Sequence, residues 1–167
     1  AVKFDFDLTE VKAALAAGAD PNNPVEGKYA LVSAAGLGGF RDHTAIANLL
    51  LKKGADPNVQ NPDGDTPLCV AAREGLLKMT KLLLKHGADI HATSTIADSW
   101  LPPESGGRTP LFYAAAGDHL KVAKVLIAAG GDVNAVTDTT PLVATTEDTR
   151  TLAMTPLMAA ARCEGPD

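Results

Sequence analysis

Two phrases alternate along this 167-residue chain, and their alternation limits the fold more than any other feature. "LLLKKGADPN" at 49–58 returns as "LLLKHGADIH" at 82–91 and "VLIAAGGDVN" at 125–134, and it is foreshadowed by "ALAAGADPN" at 14–22. "DTPLCVAAREG" at 65–75 returns as "RTPLFYAAAGD" at 108–118 and "MTPLMAAARCEG" at 154–165, with a degenerate copy, "KYALVSAAGLG", at 28–38. One supersecondary unit is therefore used about four times. Such a unit cannot bury its apolar face alone, so the copies must stack into an array.

Each phrase has a local physical reading. Thr66-Pro67 and Thr109-Pro110 are helix starts: threonine caps free backbone N–H groups, and proline at the first helical position loses nothing by lacking its own. Leu68, Ala71 and Ala72 then share one helical face, and the alanines admit a second helix at close range. That second helix carries Met79, Leu82 and Leu83 in one copy and Val122, Val125 and Leu126 in another. Gly54, Gly87 and Gly130 follow, where a left-handed residue ends a helix. The unit is a helix, a tight turn, an antiparallel helix and an extended loop. Composition agrees: 46% of residues are apolar but only 4% aromatic, which suits small-residue helix packing rather than a β-sandwich.

The motifs T-P-L-x-x-A-A and L-L-x-x-G-A-D-x-N closely resemble the ankyrin repeat family over nearly the whole chain. The resemblance implies an all-α solenoid of stacked antiparallel helix pairs, with loops projecting sideways as fingers. It divides a single domain, 1–167, into a partial first repeat over about 1–22, then 23–58, 59–91, 92–134 and 135–167. The family's histidine after T-P-L is replaced by Val32, Cys69, Phe112 and Met158, so apolar packing is expected instead of its hydrogen-bond network. Tyr29-Ala30 replaces Thr-Pro and makes a weaker helix start.

The copies depart from the family period of about 33 residues. Leucines of the T-P-L phrase fall at 31, 68, 111 and 157, giving steps of 37, 43 and 46. Four extra residues of the first step lie around "GLGGFRDH", between two helices. The later extensions fall in the fingers: Gly54 to Thr66 is twelve residues, whereas Gly87 to Thr109 is twenty-two and Gly130 to Thr155 twenty-five. The first long finger, "TSTIADSWLPPESGG", holds the only tryptophan, Trp100. Trp100 serves either as an aromatic anchor for a partner or as a side chain packed back on its own domain. The second, "VTDTTPLVATTEDTRTLAMT", has the Thr- and Val-rich composition of a β-hairpin with Glu147-Asp148 at its tip.

Little in the chain points to chemistry. His43, His86, His91 and His119 fall at separate repeat positions without partners at ligand spacing, so no metal is expected. "GLGGF" at 36–40 lacks the Lys-Ser/Thr of a phosphate loop, and no serine or cysteine has a nucleophile context. Neither catalysis nor a cofactor is expected. Asn58 and Asn134 match an asparagine hydroxylated in eukaryotic ankyrin proteins, but a hydrogen bond across the finger turn is the preferred account of that residue. Formal charge −5 and pI 5.3, with no block of Lys or Arg, disfavour nucleic acid or an anionic membrane as the main partner. Cys69 and Cys163 lie far apart, no apolar run reaches membrane-spanning length and no signal peptide is visible. A cytoplasmic protein without membrane insertion is expected, though the chain opens at Ala1 without a methionine.

Function is expected to be recognition of a protein partner. Family resemblance maps the contacts to fingertips and to the end of each first helix: Lys28, Asp63, Asp65, Arg73, Trp100, Leu101, Arg108 and Leu152. Phe112 and Tyr113 are expected in the core. The chain opens with a lone second helix, its stripe being Leu8, Val11 and Leu15, with Asp7 and Glu10 as a cap pair. It closes at "RCEGPD" after a first helix, so the rest of a longer chain or another subunit is expected to cover that end. Alternative readings are a self-assembling scaffold subunit and the targeting part of a larger effector or enzyme.

Overall fold

A computed structural model of the chain describes residues 8–36, 43–62, 64–94, 105–135, 138–139 and 156. Helix α4, Pro67–Arg73, and helix α6, Pro110–Ala116, begin where the Thr-Pro pairs predict. Thr66 and Thr109 hold extended backbone, and their hydroxyl oxygens accept from the backbone N–H groups of Cys69 at 3.2 Å and Phe112 at 3.3 Å. Helix α2, Ala30–Gly36, forms without that cap. A hairpin delivers the chain to it instead: Val25 and Lys28 exchange backbone bonds of 3.1 and 2.9 Å around Glu26 and Gly27, both at positive φ. Two successive positive-φ residues make the tight connection whose twist matches paired strands.

The second helices are α1, Leu8–Ala16; α3, Thr44–Lys52; α5, Leu77–Lys85; and α7, Leu120–Ala128. Seven residues separate α2 from α3, against three between α4 and α5 and three between α6 and α7, which places the four extra residues of the first step in that turn. Gly54, Gly87 and Gly130 have φ of +91°, +84° and +99°. The N–H of the next residue returns to the carbonyls of Leu50, Leu83 and Leu126 at 3.0, 3.0 and 2.9 Å, closing each helix.

The helices pack in two rows, α2–α4–α6 and α1–α3–α5–α7, with each pair joined across the rows. Ala34, Ala35, Ala47, Ala71, Ala72 and Ala114 are fully enclosed, and their small side chains let the rows approach. Leu31, Leu50, Leu68, Leu83, Leu111 and Leu126 fill the space between, each burial stabilising by roughly 2 kcal/mol. Leu8, Val11 and Leu15 pack half-buried against this core, as the stripe of a lone second helix requires. Val32, Cys69 and Phe112, which stand where the family has histidine, are buried. Phe112 and Tyr113 meet edge-on at 6.1 Å in the core.

The only strands among the described residues are short. Strand β1, Ser105–Gly106, pairs antiparallel with β2, Asp138–Thr139, setting Ser105 opposite Thr139. This pair joins the two lengthened fingers to each other. The expected Glu147-Asp148 tip of the second finger lies outside the described residues, as does the loop at 37–40.

Candidate interaction surface

Successive fingers are stitched together by asparagines. The Asn22 side chain donates to the Gly54 carbonyl at 2.9 Å and accepts from the Asp56 N–H at 2.7 Å. Asn58 repeats both bonds one unit later, to Gly87 at 3.3 Å and from Asp89 at 2.7 Å. Asn58 thus bonds to the neighbouring finger as well as lying on a turn, where its own N–H donates to Asp56 Oδ1 at 2.8 Å. His91 stands at the third such position, and its N–H bonds only within its own turn, to Asp89 Oδ1 at 2.9 Å. The stitch changes chemistry where the first long finger begins.

The base of that finger is a buried polar network. Ser94 and Arg108 exchange backbone bonds of 3.0 and 3.3 Å, closing the loop between them. The Ser94 hydroxyl donates to Asp65 Oδ1, and Arg73 Nη1 donates to Asp65 Oδ2 at 2.9 Å. The Arg73 guanidinium also lies 5.6 Å from the centre of the Tyr113 ring. Asp65 is 1% exposed and Arg108 is fully enclosed, whereas the Arg73 side chain keeps 30% of its surface.

Three of the sequence-derived contact residues therefore belong to one network, and two require correction. Asp65 and Arg108 were expected at a partner-facing surface, but both lie beneath it. Lys28, Asp65 and Arg108 occupy equivalent positions just before successive first helices. Lys28 is exposed, whereas the other two are buried. Polar groups under a loop must be hydrogen-bonded, and Ser94 and Arg73 supply those bonds to Asp65. Asp63, Trp100, Leu101 and Leu152 lie outside the described residues.

Sequence reasoning missed His119. Its Nε2 donates to the Arg73 carbonyl at 2.8 Å, reaching back to the end of the preceding first helix. The ring fills space left by two glycines: a Cβ on Gly75 would sit 2.6 Å from Nδ1, and one on Gly117 would sit 2.7 Å from Nε2. The glycines at the two helix–helix turns were the available signal.

A groove of about 350 Å³ opens along α6 and α7, lined by Leu111, Ala114, Leu120, Ala123, Ile127 and Pro156 among others. Leu120 and Ile127 are 66% and 49% exposed, whereas their equivalents Leu77 and Leu84 pack partly buried against the core. The chemistry of the groove is apolar. Burial pushes the Cys69 thiol up to about 11, and its sulfur faces the Ala92 carbonyl at 3.8 Å. A thiol so protonated is a packing group and a poor nucleophile. Among the described residues no three His, Cys, Asp or Glu side chains gather to hold a metal ion. Among them also, no helix is long and apolar enough to cross a membrane.

Comparison with known proteins gives a consistent picture. A family model for ankyrin repeats in three copies matches residues 1–94 and again 41–138. The chain is 40% identical over 86 residues to the ankyrin repeat and KH domain-containing protein mask-1 of Caenorhabditis elegans, a match covering 51% of this chain and 3% of that protein. A related KH domain-containing protein of Caenorhabditis briggsae is 34% identical over 85 residues, 50% of this chain and 3% of its own. An ankyrin repeat protein of Rickettsia felis is 40% identical over 62 residues, 34% of this chain and 26% of its own. The chain thus spans a small part of the relatives it matches.

Proposed function

The chain is a member of the ankyrin repeat family, and on that premise we propose that it is a non-catalytic module binding a partner protein through its elongated fingers and concave helix face. Ankyrin repeat domains are in general protein–protein interaction modules without catalytic activity. One observation carries the finer reading. The two long fingers share the β1–β2 pair, and the first rests on the Asp65–Ser94 network. Tethering the finger bases in this way lowers the ordering cost of association. Lys28, half-exposed Arg73 and the finger carrying Trp100 and Leu101 are its contact residues.

The test is a photoreactive side chain placed at position 100, with a second at position 81 on the opposite helices as control. The partner trapped from position 100 is identified by mass spectrometry, and its affinity is measured. Trimming both long fingers to the length of the 54–66 loop should weaken binding at least tenfold while helicity is retained. Unchanged affinity would exclude the fingers.

A second reading, a self-assembling scaffold, draws on exposed Leu120 and Ile127 along the α6–α7 groove. It requires concentration-dependent association in sedimentation that Leu120→Glu abolishes, and a monomer at all concentrations would remove it.

A further inference from the structure

Stacking gathers lysines that are scattered in the sequence. Lys52 and Lys53 close α3, Lys78, Lys81 and Lys85 lie on α5, and Lys121 and Lys124 lie on α7, all seven exposed. The α5 lysines are spaced three and four residues apart, on the face opposite buried Met79, Thr80 and Leu83. Because α3, α5 and α7 pack side by side, Lys78 and Lys81 lie in register with Lys121 and Lys124, and Lys85 with Lys52. The rows lie about 5 Å apart along a helix and about 10 Å apart between helices. That is a grid rather than a line. Residues 44–53, 77–86 and 120–129 contain no Asp or Glu. In a chain of formal charge −5 this face carries seven positive charges, leaving −12 for the remainder.

We propose that the face of α3, α5 and α7 docks on an anionic lipid surface. A planar array of negative headgroups engages every row of the grid at once, whereas an extended acidic peptide meets one row. Lysine is a compact, hydrated point charge, and these helices carry neither arginine to clamp a phosphate nor an aromatic ring to stack on a base. Single-stranded nucleic acid is thereby disfavoured. Exposed Leu120 and Ile127 border the grid on α7 and add apolar contact at the interface. The negative charge of the remainder disfavours docking on that surface through the rest of the chain. The proposal stands independently of finger-mediated binding.

The experiment is co-sedimentation of the full chain with vesicles of phosphatidylcholine alone and of phosphatidylcholine and phosphatidylserine in equal parts. A polyglutamate peptide and a single-stranded RNA of mixed sequence are measured beside them. Binding is expected only to the phosphatidylserine vesicles, weakening as salt rises. Each lysine near the surface contributes about fivefold in partition, so Lys81→Glu with Lys124→Glu should lower it at least twenty-five-fold. Circular dichroism verifies that this variant is folded, and Lys81→Gln with Lys124→Gln provides a milder second variant. No binding to the charged vesicles, equal binding by both variants and parent, or tighter binding to the peptide or RNA would overturn the proposal.

Discussion

Replacing Gly75 by alanine tests the contact between consecutive helix pairs, and the geometry sets its size. Gly75 has φ of +68°, where a side chain costs about 1 kcal/mol. Its new Cβ would lie 2.6 Å from His119 Nδ1, closer than non-bonded atoms approach, so the ring must move. Movement breaks the 2.8 Å bond from Nε2 to the Arg73 carbonyl, a further loss of about 1 kcal/mol, with packing lost besides. Gly75→Ala should therefore destabilise by about 3 kcal/mol, and His119→Ala by about 1.5 kcal/mol. In the double variant the clash is absent, leaving only backbone strain and the missing histidine. It should be less destabilised than the sum by about 2 kcal/mol. Gly117→Ala offers a control, because Gly117 has φ of −91° and meets the same ring at 2.7 Å without left-handed strain. Its cost should fall when His119 is alanine, leaving only the tight approach of the new Cβ to the Tyr113 carbonyl at 3.3 Å. Urea unfolding followed by far-UV circular dichroism gives the four free energies. Additivity within about 0.5 kcal/mol would refute the argument, since uncoupled sites add to that precision.

Further expectations follow from the same contacts. His91→Asn should stabilise by about 1 kcal/mol, because asparagine there can repeat the bonds that Asn22 and Asn58 make to the next finger, and thermal melts would detect it. Asp65→Ala should cost about 2–3 kcal/mol by stranding Ser94 and Arg73, with hydrogen exchange accelerating at 105–108 before the rest of the chain. Burial raises the Cys69 thiol from 9.0 to about 11, so its protonated form favours the fold fully below pH 9. That contribution is lost as pH rises from 9 towards 11, by about 1.4 kcal/mol for each pH step of one, and the alkaline loss should be smaller in Cys69→Ala when urea melts are compared across that range.

Helices and their ends were legible because their determinants are local. Thr66-Pro67 carries its own cap, and Gly54 its own left-handed turn. Alanines at helical spacing announced the close-packed rows. The candidate site was legible only in part, because its determinants act between units. Asp65 and Arg108 stand at the same repeat position as exposed Lys28, and their pairing with Ser94, distant in sequence from Asp65, cannot be read from that position. His119 reads as an ordinary turn residue until Gly75, 44 positions earlier, is seen to make room for it. Net charge is likewise an average, combining a lysine-rich helix face with acidic residues elsewhere in the chain. The β1–β2 pair joins segments separated by a whole helix pair, beyond the reach of periodicity.

Hydrogen exchange of the full chain, free and bound to the partner trapped at position 100, tests the central claim most directly. Binding through the fingers and concave face predicts slowed exchange at Ser94, across 105–109, and around Lys28 and Arg73, with residues 77–86 and 120–129 unchanged. Protection confined to those outer helices or to the α7 groove, with the finger bases unaltered, would contradict it.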